Sequence, residues 1–112
     1  MPRADRFADL VADAVDRIEP CWRGRLAAVE LEVVDAPPAP PGSEEVLLAE
    51  HRPGPRPRTV VLVVYRKPVE LRAPEHKARV DLVRDLVAEE LGDALGIAPE
   101  ELDPAYEGDQ DD

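Results

Sequence analysis

The sequence predicts a small α+β domain in which a three-stranded sheet packs against two long helices. One segment near each end of the chain has apolar residues at helical spacing, and between them lie an alternating segment and an unbroken β-branched run. The chain has 112 residues, which is enough for one domain with a single modest core. We therefore expect the order helix, strand, strand, strand, helix, with both helices on one face of the sheet.

The first long helix is predicted from about Ala4 to Glu19, where Pro20 ends it. Its apolar positions recur every three or four residues, at Phe7, Leu10, Val11, Ala14, Val15 and Ile18. Because proline suits the first turn of a helix, Pro20 also favours a short second helix over residues 21–28, with Trp22 packed on the core.

The first two strands are short and have a polar face or edge. Residues 29–33 alternate apolar and acidic side chains, which predicts a strand with one face in water. A proline-rich loop follows at residues 36–44, because prolines favour extended backbone and cannot join a sheet interior. A second strand is predicted from Val46 to His51, and residues 52–58 form a rigid basic loop.

The central strand is predicted at Thr59–Tyr65, an unbroken β-branched and apolar run. Such a run is typical of a strand covered on both faces. Pro68 is expected to end it, and residues 69–73 are expected to form a connector to the second long helix.

The second long helix is predicted from Pro74 to about Leu95. Pro74 suits its first turn, and Glu75 suits the positive end of the helix dipole. Gly96 suits a left-handed C-terminal cap, and Pro99–Leu102 adds one short turn.

An acidic cluster lies on this second helix. At about 100° per residue, Glu90 falls within about 20° of Val83, inside the apolar stripe. Glu89 and Asp93 lie side by side on the adjoining flank, as like charges four residues apart. Two interpretations stay open for Glu90: a buried acid satisfied by an arginine, a tyrosine hydroxyl or backbone donors, or a general base or metal-site acid.

The charge of the chain excludes some classes of partner. The formal net charge is −11, which argues against nucleic acid and against anionic membrane surfaces, because both need clustered basic residues. We expect one domain at residues 1–102 and an acidic, solvated tail at residues 103–112. The single cysteine, the lack of a signal-like apolar segment and the shortness of the longest apolar run lead us to expect a cytoplasmic protein.

Four segments of the chain resemble one family of small bacterial proteins. Leu86–Pro99 is similar to a motif helix, Phe7–Val15 to an opening helix, Val29–Asp35 to a first strand, and Thr59–Pro68 to a strand that ends in Tyr-Arg-x-Pro. The family is that of the minimal zincin-like metallopeptidases, whose motif is HExxHxxGxxD. The resemblance implies a minimal zincin-like fold.

The resemblance also implies roles for individual residues. In the family, two histidines and an aspartate bind zinc, and the glutamate after the first histidine activates the zinc-bound water. Glu90 matches that glutamate as the catalytic position, and Gly96 matches the structural glycine of the turn. Glu89, Asp93 and Pro99 stand at the three metal-ligand positions, and proline has no ligating side chain.

The replaced ligands lead us to expect no cofactor and no zinc. Weak binding of Mg²⁺ or Ca²⁺ by Glu89 and Asp93 stays open, because these cations prefer oxygen ligands. His76 lies more than two turns before the cluster on the same helix, so it cannot join it. We expect His51 to be exposed to solvent, with a relocated metal ligand as the alternative.

Three functional hypotheses follow. The first is a family member that has lost its zinc site and acts as a non-catalytic binding or scaffold protein for an unidentified protein or peptide. Its expected binding strand consists of Val46, Leu47, Leu48, Ala49, Glu50 and His51. The second is a divergent metallopeptidase or metallohydrolase with an oxygen-preferring metal at Glu89 and Asp93, and with Glu90 as general base. The third is an acidic interaction protein that acts through its C-terminal tail.

Overall fold

The computed structural model describes residues 3–38 and 46–107, and within them it confirms an α+β fold of three strands and two long helices. Parts of the predicted loop at residues 36–44 and of the predicted tail at residues 103–112 lie outside the described residues. The elements in chain order are α1 (Arg3–Arg17), α2 (Glu19–Trp22), β1 (Ala28–Val34), β2 (Ala49–Pro53), β3 (Thr59–Tyr65), α3 (Arg66–Arg72), α4 (His76–Leu95) and α5 (Pro99–Leu102).

The sheet is mixed and has the strand order β1-β3-β2. β3 is central, as predicted, and it pairs in parallel with β1 and antiparallel with β2. Leu62 lies opposite both Leu31 of β1 and His51 of β2. Because side chains alternate between the faces of a strand, this register places these three side chains on the same face.

That face packs against the helices and forms the main core. Leu62 and Val64 of β3 are fully buried there, together with Val11 of α1 and Val83 and Leu91 of α4. Trp22 belongs to the same core, as predicted, and its indole N–H donates to the carbonyl oxygen of Val15 at 3.1 Å.

The other face of β3 is covered by side chains of the flanking strands. Val61, Val63 and Tyr65 are buried there in a second, smaller cluster. A salt bridge of 2.6 Å joins Arg52 of β2 to Glu32 of β1, on either side of β3. The predicted burial of β3 on both faces is therefore confirmed.

The boundaries of β2 differ from those predicted. The strand begins at Ala49, three residues after the predicted start, and it continues through Arg52 and Pro53 into the predicted basic loop. The reason is its pairing with β3, because Pro53 still lies opposite Val60. A proline is tolerated at the edge of a sheet, where its missing N–H breaks no ladder bond.

The connector predicted at residues 69–73 is wrong, because α3 begins directly after β3. Pro68 was expected to end the strand, but it lies in the first turn of α3, where a proline leaves no hydrogen bond unmade. A salt bridge of 3.0 Å between Arg66 and Glu70 connects successive turns of α3, and Val69 is fully buried. α4 then begins at His76 rather than at Pro74.

The end of α4 follows the prediction. Gly96 has a φ of 72° and caps the helix in the left-handed conformation, in which an L side chain would be strained. α5 follows at Pro99–Leu102, as predicted. Within residues 3–38 and 46–107, no helix is long and apolar enough to cross a membrane.

Candidate functional site

The candidate site lies where the C-terminal half of α4 approaches β2. Ala49 and His51 are on the helix side of β2, because they lie opposite Val64 and Leu62 of the main core. His51 Nδ1 is 2.8 Å from Glu90 Oε1 on α4, and each of these side chains is 22% exposed. The expectation of a solvent-exposed His51 is therefore wrong, because the alternation of the strand turns His51 towards α4.

The contact with His51 also provides the hydrogen-bond partner of the Glu90 carboxylate. The sequence left open an arginine, a tyrosine hydroxyl or backbone donors as its partner, and the structure provides a histidine ring nitrogen instead. A half-buried carboxylate needs such a partner, because burial without a hydrogen bond is costly. The proton on the imidazole can lie on either nitrogen, and both nitrogens face carboxylates.

The second carboxylate near His51 belongs to Asp93. Its Oδ2 is 3.6 Å from His51 Nε2, and its side chain is 80% exposed. The distance is too long for a hydrogen bond, and the carboxylate of Asp93 is open to water. The structure therefore places His51 between two of the three acids of the predicted cluster.

The third acid, Glu89, is directed to a different partner. The hydroxyl of Tyr106 donates a hydrogen bond of 2.6 Å to Glu89 Oε2. This bond, with burial and the negative charge of Glu89, raises the pKa of Tyr106 far above its usual range, so that Tyr106 keeps its proton. Burial, and then the charge of Glu89, also raises the pKa of Asp85, one turn earlier on α4. Glu89 therefore helps to hold the residues that follow α5 against α4.

Pro99, at the third family ligand position, is the first residue of α5. The turn before it is tight, because the N–H of Ile97 donates to the carbonyl oxygen of Gly92 at 2.9 Å. A Cβ atom at Gly92 would lie 2.8 Å from the carbonyl oxygen of Ile97, which is closer than real Cβ atoms approach. The backbone turn is therefore well defined, but the side chain at its end cannot bind a metal.

Taken together, the side chains at the three positions that the resemblance assigns to metal ligands do not fit a zinc ion. Glu89 is held by Tyr106, Asp93 is exposed beside His51, and Pro99 offers no donor atom. In the part of the chain that the structure describes, no three His, Cys, Asp or Glu side chains form a metal-binding group. Zinc sites with catalytic activity use three protein ligands.

The first residues of the predicted tail pack on the domain. Asp103 is 2% exposed, and its carboxylate accepts hydrogen bonds of 2.7 and 3.1 Å from the guanidinium of Arg17 on α1. These bonds lower the pKa of Asp103 below its usual range. The boundary predicted at residue 103 does not fit these contacts. The last five residues of the predicted tail, 108–112, lie outside the described residues.

The predicted binding strand is an edge strand of the described sheet. The carbonyl oxygen of Leu48 accepts from the N–H of Tyr65 at 3.0 Å, and the N–H of Gly54 donates to Thr59 at 2.9 Å. Because backbone direction alternates along an antiparallel pair, the N–H groups of Ala49 and His51 point to the free edge. Just before the strand, Val46 and Leu47 are 63% and 44% exposed.

Glu50, also predicted to contribute to binding, faces the opposite side of the sheet. Its carboxylate accepts a hydrogen bond from the hydroxyl of Tyr65. Burial of Tyr65 and this bond raise the pKa of Tyr65 to about 12. Glu50 is therefore held by the sheet and is separate from the cluster of His51 and Glu90.

Comparison with known protein families gives a match to this chain. A family model described as zincin-like metallopeptidase matches residues 28–108, which include the sheet, α3, the motif helix α4 and α5. A comparison with curated proteins gave no match.

Proposed function

Because the chain belongs to the family of zincin-like metallopeptidases, we propose that it is a cytoplasmic, non-catalytic member that binds an extended segment of a protein or peptide. In this proposal the family scaffold is kept, the zinc site is lost and no cofactor is needed. Glu90 stands at the position of the family general base but acts as a structural acid.

The observation that supports this proposal best is the set of contacts made by the acids of α4. Glu90 is hydrogen-bonded to His51 at 2.8 Å, and Glu89 accepts from Tyr106 at 2.6 Å. A general base needs a free carboxylate oxygen directed at an activated water, and a first ligand needs lone pairs directed at the metal. Here Glu90 Oε1 and Glu89 Oε2 are each engaged by another side chain of the same domain, which supports structural roles for both acids.

Metal analysis of the purified protein tests the loss of the zinc site. The protein is purified without chelators, and bound metals are measured by elemental analysis alongside a peptidase assay with an unstructured protein substrate. We expect zinc well below one equivalent per chain and no cleavage. One zinc per chain, or cleavage that a chelator abolishes, would overturn the proposal.

The proposed binding surface is the free edge of β2 with the exposed residues before it. The edge offers the N–H groups of Ala49 and His51, to which an extended peptide can add as a further strand. Pro53 has no N–H, so the available edge is short and ends there. Val46 and Leu47 add apolar surface at the other end.

Peptide selection tests this surface. Peptides are selected from a random library against the whole protein, and their affinities are measured for Leu47→Asp and for Leu71→Asp. Leu71 is the matched control, because it is an 85% exposed leucine on α3. We expect Leu47→Asp to weaken binding about tenfold or more and Leu71→Asp to leave it unchanged. Equal affinities of the two variants would place the binding surface elsewhere.

A divergent metallohydrolase is the second candidate, and one distance favours it. His51 Nε2 and Asp93 Oδ2 are 3.6 Å apart, close to the separation of two ligands that share one metal ion. This pair differs from the predicted pair, because Asp93 faces His51 while Glu89 faces Tyr106. Because imidazole suits transition metals and Mg²⁺ or Ca²⁺ prefer oxygen ligands, this pair would hold a transition-metal cation, and loss of such a cation in His51→Ala would support this candidate.

A further inference from the structure

A cavity of about 590 Å³ lies at the opposite end of α4 from Glu90. Its lining comes from the start of α1, from α3, from the connector that follows and from the first turn of α4: Arg6, Phe7, Leu10, Glu70, Pro74, His76 and Arg79. His76 is 14 residues before Glu90, which corresponds to about 21 Å along the helix. The cavity is therefore separate from the site described above.

The lining of the cavity combines an apolar wall with basic side chains. Phe7, Leu10 and Pro74 form the apolar part. Arg79 is held in place, because its guanidinium donates to the carbonyl oxygens of Ala73 and Pro74 at 3.0 and 2.5 Å. A volume of this size is within the range of about 300–1,000 Å³ typical of small-molecule sites.

Arg6 is the basic group that is available to a ligand. It is exposed, and the structure shows no hydrogen bond or ion pair for it among the described residues. Glu70, the one acid of the lining, is already paired with Arg66 at 3.0 Å. The guanidinium of Arg6 can therefore pair with an anion that enters the cavity.

The charged side chains that line the cavity indicate which class of anion it can bind. Because Glu70 is paired with Arg66 and the guanidinium of Arg79 donates to backbone carbonyl oxygens, Arg6 is the one lining arginine left to pair with an anion among the described residues. A second groove of about 320 Å³ shares Arg6, Leu10 and His76, and it adds Arg84 and two acids, Asp9 and Asp13. These acids disfavour a dianion such as phosphate, so that a monoanion fits best.

We propose that this cavity binds a small organic monocarboxylate with an apolar body. The carboxylate pairs with Arg6, and the apolar body packs against Phe7, Leu10 and Pro74. The guanidinium provides two parallel N–H donors to the carboxylate, and the wall removes apolar surface of the ligand from water. This site is independent of the proposed function at β2 and of any metal.

Titration of the whole protein with sodium octanoate tests the proposal. Binding is followed by amide NMR shifts and calorimetry for the natural chain, for Arg6→Gln and for Arg25→Gln. Arg25 is the matched control, because it is an exposed arginine that is not part of the cavity. We expect saturable shifts around Leu10 and His76, affinity about tenfold weaker in Arg6→Gln, and unchanged affinity in Arg25→Gln.

Two further ligands distinguish the contribution of the carboxylate charge to binding from that of the apolar chain. Octanol has the same chain length without the charge, and inorganic phosphate has charge without the chain, so both should bind much more weakly than octanoate. Equal binding of octanol, equal affinity in Arg6→Gln, or no saturable shift at Leu10 and His76 would overturn the proposal.

Discussion

At the scale of single residues, the hydrogen-bond partner of Glu90 indicates which role its carboxylate has. Its position in the apolar stripe of α4 left open a structural and a catalytic role. The contact with His51 supplies the hydrogen bond that a half-buried carboxylate requires. The signal in the sequence was weak, because His51 and Glu90 are 39 positions apart and only the packing of β2 on α4 brings them together.

Replacing His51 by alanine should therefore destabilise the fold. We expect a loss of about 1–2 kcal/mol in the free energy of unfolding, because Glu90 keeps its half-buried position and loses its hydrogen-bond partner. Urea unfolding at neutral pH measures the effect. His76→Ala is the matched control, because His76 is exposed and should change stability by less than about 0.5 kcal/mol. Equal stabilities of the two variants would show that the His51–Glu90 contact contributes nothing.

At the scale of elements, α5 and the residues after it are attached to the domain at two points. Asp103 binds Arg17 of α1, and Tyr106 binds Glu89 of α4. Both contacts join residues distant in sequence, and both involve residues that composition alone assigns to solvent. The segment that follows the motif helix is therefore part of the packed structure at least as far as Tyr106.

The pH dependence of stability tests the contact of Asp103. Its pKa in the folded state is lowered, chiefly by the hydrogen bonds from Arg17, so the contact stabilises the fold above the ordinary aspartate pKa of about 3.9. This contribution is lost as the pH falls through the lower, folded-state pKa. Asp103→Asn should cost about 2 kcal/mol at pH 7, and the difference from the natural chain should shrink below about pH 4.

Asp85→Asn is compared with Asp103→Asn in the same measurement of stability against pH, because the opposite result is expected for it. The pKa of Asp85 is raised by burial and by Glu89, so its charged form is disfavoured in the fold. Its contribution has the opposite sign: stability falls as the pH rises through the folded-state pKa. We expect Asp85→Asn to be neutral or stabilising at pH 7. A destabilised Asp85→Asn, or an Asp103→Asn cost that is as large at pH 3 as at pH 7, would contradict these assignments.

Truncation tests the same attachment as a whole. Removing residues 103–112 should destabilise the domain by about 2–4 kcal/mol, because the contacts of Asp103 and Tyr106 are both lost. A chain that lacks only residues 108–112 is the control, since it keeps both contacts. Chemical unfolding compares the three chains. Equal stability of the two truncated chains would show that the contacts of residues 103–107 do not support the fold.

The elements that the sequence predicted well are those with local determinants. β3 is defined by its own β-branched run, and α4 ends at Gly96 because one residue must adopt a positive φ. The predictions that were wrong concern element boundaries that depend on contacts with residues distant in sequence. The same Pro68 can end a strand or lie in the first turn of a helix, and burial of Val69 favours the helix. Pairing with β3 likewise fixed the start of β2 at Ala49.

At the scale of the whole molecule, the chain belongs to the zincin-like family, and we propose that its ligand positions carry other side chains. The matched residues 28–108 include the sheet and α4, and Gly96 keeps its place in the turn. In the proposed alignment with the family motif, the zinc-ligand positions hold Glu89, Asp93 and Pro99. If the scaffold is intact and only the ligands are lost, restoring the ligands should restore zinc binding.

Zinc titration of a restored variant therefore tests the central claim most directly. The variant carries Glu89→His, Asp93→His and Pro99→Asp, and zinc affinity is measured for it and for the natural chain by competition with a chromophoric chelator. We predict one tightly bound zinc per chain in the variant and none in the natural chain. Tight, stoichiometric zinc in the natural chain would contradict the loss of the site, and a folded variant without zinc would contradict the assignment of the three positions.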